Sequence, residues 1–240
     1  MAELLLAPEL LEIPELDISH LVTEDDTPVG NIFSEKQQRL STHTLYLPRQ
    51  GPQASGRPLV ALANVGLFYA WDQPAVVPDV LVSLDVWLPE EVWEKRHRSY
   101  FIWEYGKPPE VVIEIVSNRK GEELGAKRRL YARIGVAYYV VFDPQRLLSQ
   151  DKLRIYELRG TEYALRRQRW LPGVGLGLTL WEGEFEGLPA VWLRWCDKDG
   201  RLLLTGAEMA QEEREQADEE RQRAERLAAQ LRAMGIEPEV

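Results

Sequence analysis

The chain has 240 residues, 45% of them hydrophobic, and a formal net charge of −10, a size that suits one large domain with appendages or two small ones. Cys196 is the single cysteine, and the three histidines (His20, His43 and His97) stand at no ligand-like spacing, so an internal disulfide and a cysteine-cluster metal site are excluded and a zinc site is not expected. No apolar run approaches the ~20 residues of a membrane helix, and the acidic start MAELLLAPELLEIPEL lacks the positive region of a signal peptide, so the expected compartment is the cytoplasm with no membrane partner.

Charge is unevenly spread. Residues 1–36 carry nine acids against one base, and residues 206–240 carry ten against five. Residues 91–169 carry seventeen bases against eleven acids. That central block can face a polyanion, although a solvated basic surface accounts for it equally well.

Residues 1–31, with isolated prolines and the run Glu24-Asp25-Asp26, read as an acidic lead-in. Ser34 followed by Gln37 resembles a capping box, which predicts a helix from Ser34 to about Tyr46. Glu35 then sits in the first turn, where an acid favours the helix dipole. Residues 48–58 read as a loop. Strands are expected at Leu59–Leu62, Leu67–Trp71 and Val76–Leu88, the last interrupted at Pro78-Asp79. Alternation puts Val80, Val82, Leu84 and Val86 on one face, with Leu81, Ser83 and Asp85 on the other. Asp79 opens that strand, either as a turn residue or as an acid projecting from a sheet edge into a cleft. Residues 89–108 mix charge with aromatics and read as a helix or ordered loop over the sheet, with the aromatics packed inward.

Pro109 to Pro144 organises the chain. Val111–Val116 is a short apolar, β-branched run, a helical pattern follows from about Glu122 to Ile134, Gly135 stands at the expected C-cap, and Val136–Phe142 is a second buried strand ended by Asp143-Pro144. Strand, crossover helix and strand make a βαβ unit with parallel strands. Two charges in it are out of place. Glu114 shares its strand face with Val112 and Val116, where desolvation penalises a carboxylate. Lys127 falls on the helix stripe of Leu124, Tyr131 and Ile134, facing the sheet. Two such charges on adjacent elements suggest a reaction centre, with a structural ion pair as the alternative.

After Pro144 hairpins are expected: Leu153–Leu158 with Tyr163–Gln168 about the turn Arg159-Gly160-Thr161, and Leu188–Cys196 with Arg201–Thr205 about Lys198-Asp199-Gly200. The run Gly173-Val-Gly-Leu-Gly lacks the lysine of a phosphate loop and is rejected as one. From Gly206 to about Met234 a helix rich in Glu, Arg, Gln and Ala is expected, with Ala210, Ala217, Ala224 and Leu231 at heptad spacing. That pattern is a weak coiled coil, and it leaves both an exposed single helix and a homodimer arm open. The domains read as 1–31, 32–205 and 206–240.

Three segments carry a resemblance: VPDV at 77–80, EIVS at 114–117 and KRRLYARIGVAYYVVFDP at 127–144. In order and spacing they resemble the Uma-type restriction endonucleases, a branch of the PD-(D/E)XK nuclease superfamily, over about residues 15–205. The resemblance implies an α/β fold: a restriction-endonuclease-like αβββαβ core, a mixed β-sheet flanked by helices, here followed by C-terminal hairpins and a long C-terminal helix. It implies a metal-dependent endonuclease of DNA, with Mg (or Mn) held by Asp79, Glu114 and the backbone carbonyl of Ile115, and Glu35 on the helix that often adds a further carboxylate. Val116 stands where the superfamily places its lysine, so Lys127 is the expected substitute, with Tyr131 supporting and Lys120 the next lysine to consider. The alternative is a DNA-binding or assembly module that keeps the fold without the chemistry.

Overall fold

A computed structural model describes residues 31–117 and 123–234. The lead-in up to Gly30, Lys120 and the first residue of the helix expected from Glu122 lie outside the described residues.

In chain order the elements are α1 (Ile32–Tyr46), α2 (Gly51–Ala54), β1 (Leu59–Ala63), β2 (Leu67–Phe68), β3 (Val80–Leu84), β4 (Tyr100–Phe101), α3 (Ile102–Tyr105), β5 (Val111–Ile115), α4 (Ala126–Ile134), β6 (Tyr138–Phe142), β7 (Leu153–Arg159), β8 (Glu162–Arg166), β9 (Trp170–Leu171), β10 (Leu176–Phe185), β11 (Leu188–Cys196) and α5 (Gly206–Ala233). Six strands form one mixed sheet in the order β1-β3-β5-β6-β7-β8. Only β5 and β6 run parallel in it, joined by α4 as the crossover. Strands β11-β10-β9 form a second, antiparallel sheet, and β2 pairs with β4 in a short parallel one.

The period-2 alternation of β3, β5 and β6 divides the core in two. Val80, Val82, Val111, Ile113, Ile115, Val140 and Phe142 face the second sheet, meeting Leu176, Leu178, Leu193 and Trp195. Leu81, Val112, Val116, Tyr139 and Val141 face the other way, where Tyr131 of α4, Leu67 and Tyr100 cover them. Glu114 belongs to this second face. Gly135 ends α4 at φ 93°, a left-handed value that costs glycine little.

Helix α1 is fastened to the second sheet rather than merely laid against it. Gln37 donates to the Leu193 carbonyl at 2.8 Å and accepts from the Leu193 amide at 2.9 Å. Trp195 donates its indole N–H to the Ser41 carbonyl at 2.7 Å, and Phe33 stacks on Trp192. Asn31, not Ser34, caps α1: its extended backbone lets Oδ1 accept from the Ser34 amide at 2.9 Å.

Other expectations are corrected. Strand β2 has two residues, not five. Residues 89–108 fold as a 3₁₀ turn at Lys95–His97, β4 and α3; Tyr100 and Phe101 are buried but Trp93 is exposed. Helix α4 begins at Ala126 after Gly125, which supplies no side-chain cap. Arg201–Thr205 meets β11 as expected but only through one antiparallel bridge, Cys196 to Leu202, and forms no full strand; the extended partner of β11 is β10. Asp197 Oδ1 accepts from the amides of Asp199 and Arg201 in the turn, and beyond the bridge Gln50, distant in the chain, captures the Leu204 amide at 2.7 Å. Among the described residues no helix is long and apolar enough to cross a membrane.

Candidate active site

The site lies where β3 begins and β5 ends. These strands are antiparallel neighbours, with Val80 opposite Ile113, so Asp79, just before β3, comes level with the last residues of β5. Asp79 Oδ2 accepts from the Ile115 amide at 2.7 Å. Ile115 thus meets the site here through its N–H; no contact of its carbonyl bears on its expected ligand role. Asp79 Oδ1 accepts from Gln38 Nε2 at 2.8 Å. Gln38 is held in turn by Asn64, whose Nδ2 donates to Gln38 Oε1 at 2.8 Å. Asn64 takes a left-handed backbone, φ 53°, which asparagine tolerates better than most residues.

Glu114 is 2% exposed. Its Oε2 lies 2.7 Å from Lys127 Nζ, and its Oε1 accepts from Tyr131 Oη at 2.6 Å. Both donors come from one face of α4, four residues apart, as helical periodicity requires. The Lys127 side chain stays 33% exposed, so its ammonium sits at the boundary between the buried carboxylate and solvent.

Burial pushes Glu114 up to about 7, partly offset by the Lys127 charge and raised further by Asp79. Asp79 is also raised, mainly by burial, against the hydrogen bonds from Ile115 and Gln38. For Lys127 burial acts downward, but the Glu114 carboxylate and the nearby acids outweigh it, and the ammonium is favoured. The Tyr131 phenol is held well above its ordinary value by burial and by Glu114.

Glu123, which the sequence reading passed over, is a third buried acid beside the pair. Its Oε1 lies 3.7 Å from Lys127 Nζ, and its carbonyl accepts from Tyr139 Oη at 2.9 Å. Its Oε2 is buried with no hydrogen-bond partner. Its i, i+4 spacing to Lys127 was the available signal. Glu35 does not join the group. It points to solvent and pairs with Arg39 at 2.7 Å, while Gln38, three residues on, is the α1 residue that reaches Asp79. Lys120 lies outside the described residues.

Among the described residues no three His, Cys, Asp or Glu side chains are gathered as a metal-binding group. The donor set nonetheless suits Mg²⁺, which takes one or two carboxylates and completes its octahedron with waters and substrate oxygens. Each oxygen of Asp79 and Glu114 accepts a single hydrogen bond, leaving a lone pair on each. The unpartnered Glu123 oxygen adds negative potential beside them.

On the flank of α4 toward the β7–β8 hairpin runs a cleft of about 750 Å³, lined by Arg128, Arg129, Arg133, Glu162 and Tyr163. Arg128 stacks over Tyr156, 5.4 Å from the ring centroid. Arg129 and Arg133 are exposed and, among the described residues, form no ion pair.

The family model described as Uma2, putative restriction endonuclease, matches residues 26–179 of the chain. No curated protein is similar enough to count as a match.

Proposed function

The chain belongs to the Uma2 family of putative restriction endonucleases, and on that premise we propose that it is a metal-dependent endonuclease hydrolysing DNA phosphodiester bonds. The observation that carries this reading is the buried Glu114 carboxylate bonded to Lys127 beside Asp79, at the shared end of β3 and β5.

Asp79 and Glu114 would hold Mg²⁺, or Mn²⁺ in its place, with the Ile115 carbonyl as a further oxygen. Bound there, the ion would acidify a water and neutralise charge on the attacked phosphate. Tyr131 and Lys127 fix the Glu114 carboxylate in one orientation, and Gln38 with Asn64 does the same for Asp79. An ammonium carries three donors. Glu114 takes one of those on Lys127, leaving donors to hold the attacking water or to meet negative charge growing on the phosphoryl oxygens. Lys127 thereby does from the helix what a strand lysine at position 116 would do. The arginines of α4 supply the positive surface that draws a phosphate backbone.

One observation favours a second reading, a DNA-binding module without chemistry: every oxygen of the Asp79–Glu114 pair already has a protein donor. Incubating supercoiled plasmid with the full chain and Mg²⁺ or Mn²⁺ separates the two. Nicking that a chelator abolishes supports the nuclease. Salt-sensitive binding with no nicking in either metal supports the second reading.

A further inference from the structure

We infer that α5 pairs antiparallel with the α5 of a second copy of this chain. The helix has 28 residues, about 42 Å at 1.5 Å per residue. Its beginning is tied to the body: Glu208 binds the buried Arg194, and Glu213 lies 3.3 Å from Arg49. From Gln211 to Gln230 every residue is exposed except the half-buried Ala228. Leu227 and Met234 are 52% and 72% exposed, on the same side as the heptad series Ala210, Ala217, Ala224 and Leu231. A helix owes most of its stability in water to a covered apolar face, and among the described residues nothing covers this one.

The charge pattern names the occupant. Residues 208–220 hold seven acids and one base, whereas residues 221–233 hold four bases and one acid. The helix dipole rewards such polarity only in the first and last turns, not across two thirteen-residue blocks. Within the acidic block Glu215 and Glu219 stand at i, i+4, a repulsion the single helix does not relieve. A parallel copy would set Glu213 on Glu213 and Glu220 on Glu220 along the seam. An antiparallel copy centred near Gln222 lays each acidic half along the other's basic half. It also brings Leu227 level with Ala217 and Met234 level with Ala210, layers in which a large side chain meets a small one.

Disulfide trapping of the full chain tests this, in a Cys196→Ser background that removes the native thiol. Mixing Ala217→Cys with Leu227→Cys protein should give a covalent dimer, while Ala217→Cys alone should not. Light scattering on the wild type should show a dimer at low salt that dissociates as salt screens the two halves. Arg223→Glu/Arg226→Glu should weaken dimerisation about tenfold, from surface pairs of a few tenths of a kcal/mol each, counted at both symmetric ends. Far-UV circular dichroism checks that this variant keeps its helix. Efficient self-crosslinking of Ala217→Cys, or a wild type that stays monomeric at low salt and high concentration, overturns the inference.

Discussion

Lys127 Nζ lies 2.7 Å from Glu114 Oε2, joining the crossover helix to the buried strand that precedes it. The contact places a positive charge beside a carboxylate that, among the described residues, has otherwise the Tyr131 phenol for a partner. It also makes the stability of this region depend on the protonation of Glu114, which can be measured without any substrate.

The first consequence is a pH dependence. Burial pushes the Glu114 carboxyl up to about 7 from the ordinary 4.5, and Asp79 is shifted the same way. The folded state therefore holds protons that the unfolded chain has released, and metal-free stability falls as pH rises from about 4.5 through 7. Melting in chelator across that window should show the decline in wild type and a shallower one in Glu114→Gln. Equal slopes in the two proteins would contradict the assignment.

Divalent metal should reverse that loss. A cation bound only by the folded state stabilises it by mass action, and it relieves the repulsion between Asp79 and Glu114. Millimolar Mg²⁺ or Mn²⁺ should raise the melting temperature of the wild type near pH 7.5 and leave Asp79→Asn/Glu114→Gln unmoved. The same rise in both would place the bound metal elsewhere.

Gln38 should matter more than Glu35. Gln38→Leu removes the donor to Asp79 Oδ1 and unpairs Asn64, so it should cost about 1–2 kcal/mol of stability and weaken the metal-induced rise in melting temperature. Glu35→Gln loses only an exposed pair with Arg39 and should stay within about 0.5 kcal/mol. Thermal melts of the two variants with and without Mg²⁺ decide the order; a larger effect from Glu35→Gln would reverse it.

The start of α5 belongs energetically to the body. Arg194 is buried and receives both oxygens of Glu208, so Glu208→Ala should cost about 2–3 kcal/mol, less than a fully enclosed pair because Glu208 is partly exposed. A chain ending at Glu213 keeps that contact and should melt close to the full chain. Chemical denaturation of both checks the contrast, and a large loss on truncation at Glu213 would mean the distal turns support the core.

What the sequence displayed was periodicity, and the site residues found that way are those on periodic elements. Glu114 stood out because alternation put it among valines, and Lys127 and Tyr131 because the 3.6-residue stripe of α4 put both toward the sheet. The α1 contribution was legible only in part. The helix was expected, but Asn31 rather than Ser34 caps it, and Gln37 and Ser41, by locking α1 to β11, bring Gln38 rather than Glu35 to Asp79. The family resemblance pointed to the acid; packing against a strand more than 150 residues away chose the amide. Asn64 carried no periodic mark, being a loop residue, and Glu123, three residues before the uncapped start of α4, was marked only by its i, i+4 spacing to Lys127. The pairing of Arg201–Thr205 with β11 stops at a single bridge for a similar cause, since Gln50 takes both backbone hydrogen bonds of Leu204 from across the chain.

The role of Lys127 is decided by its removal. In chelator, Lys127→Met leaves Glu114 with Tyr131 alone and should cost about 2–3 kcal/mol, discounted from a fully buried pair because the lysine is one-third exposed. On the proposed function Mg²⁺ would satisfy the carboxylate instead, so that cost should largely disappear when the ion is added. The direct measurement is the initial rate of plasmid nicking by Lys127→Met at saturating Mg²⁺, against wild type prepared identically. Loss of a preorganised contact to developing charge predicts a rate lower by ~100-fold or more, with the metal-induced rise in melting temperature retained. A wild-type nicking rate in Lys127→Met would contradict the account and leave the ion pair with Glu114 a structural one.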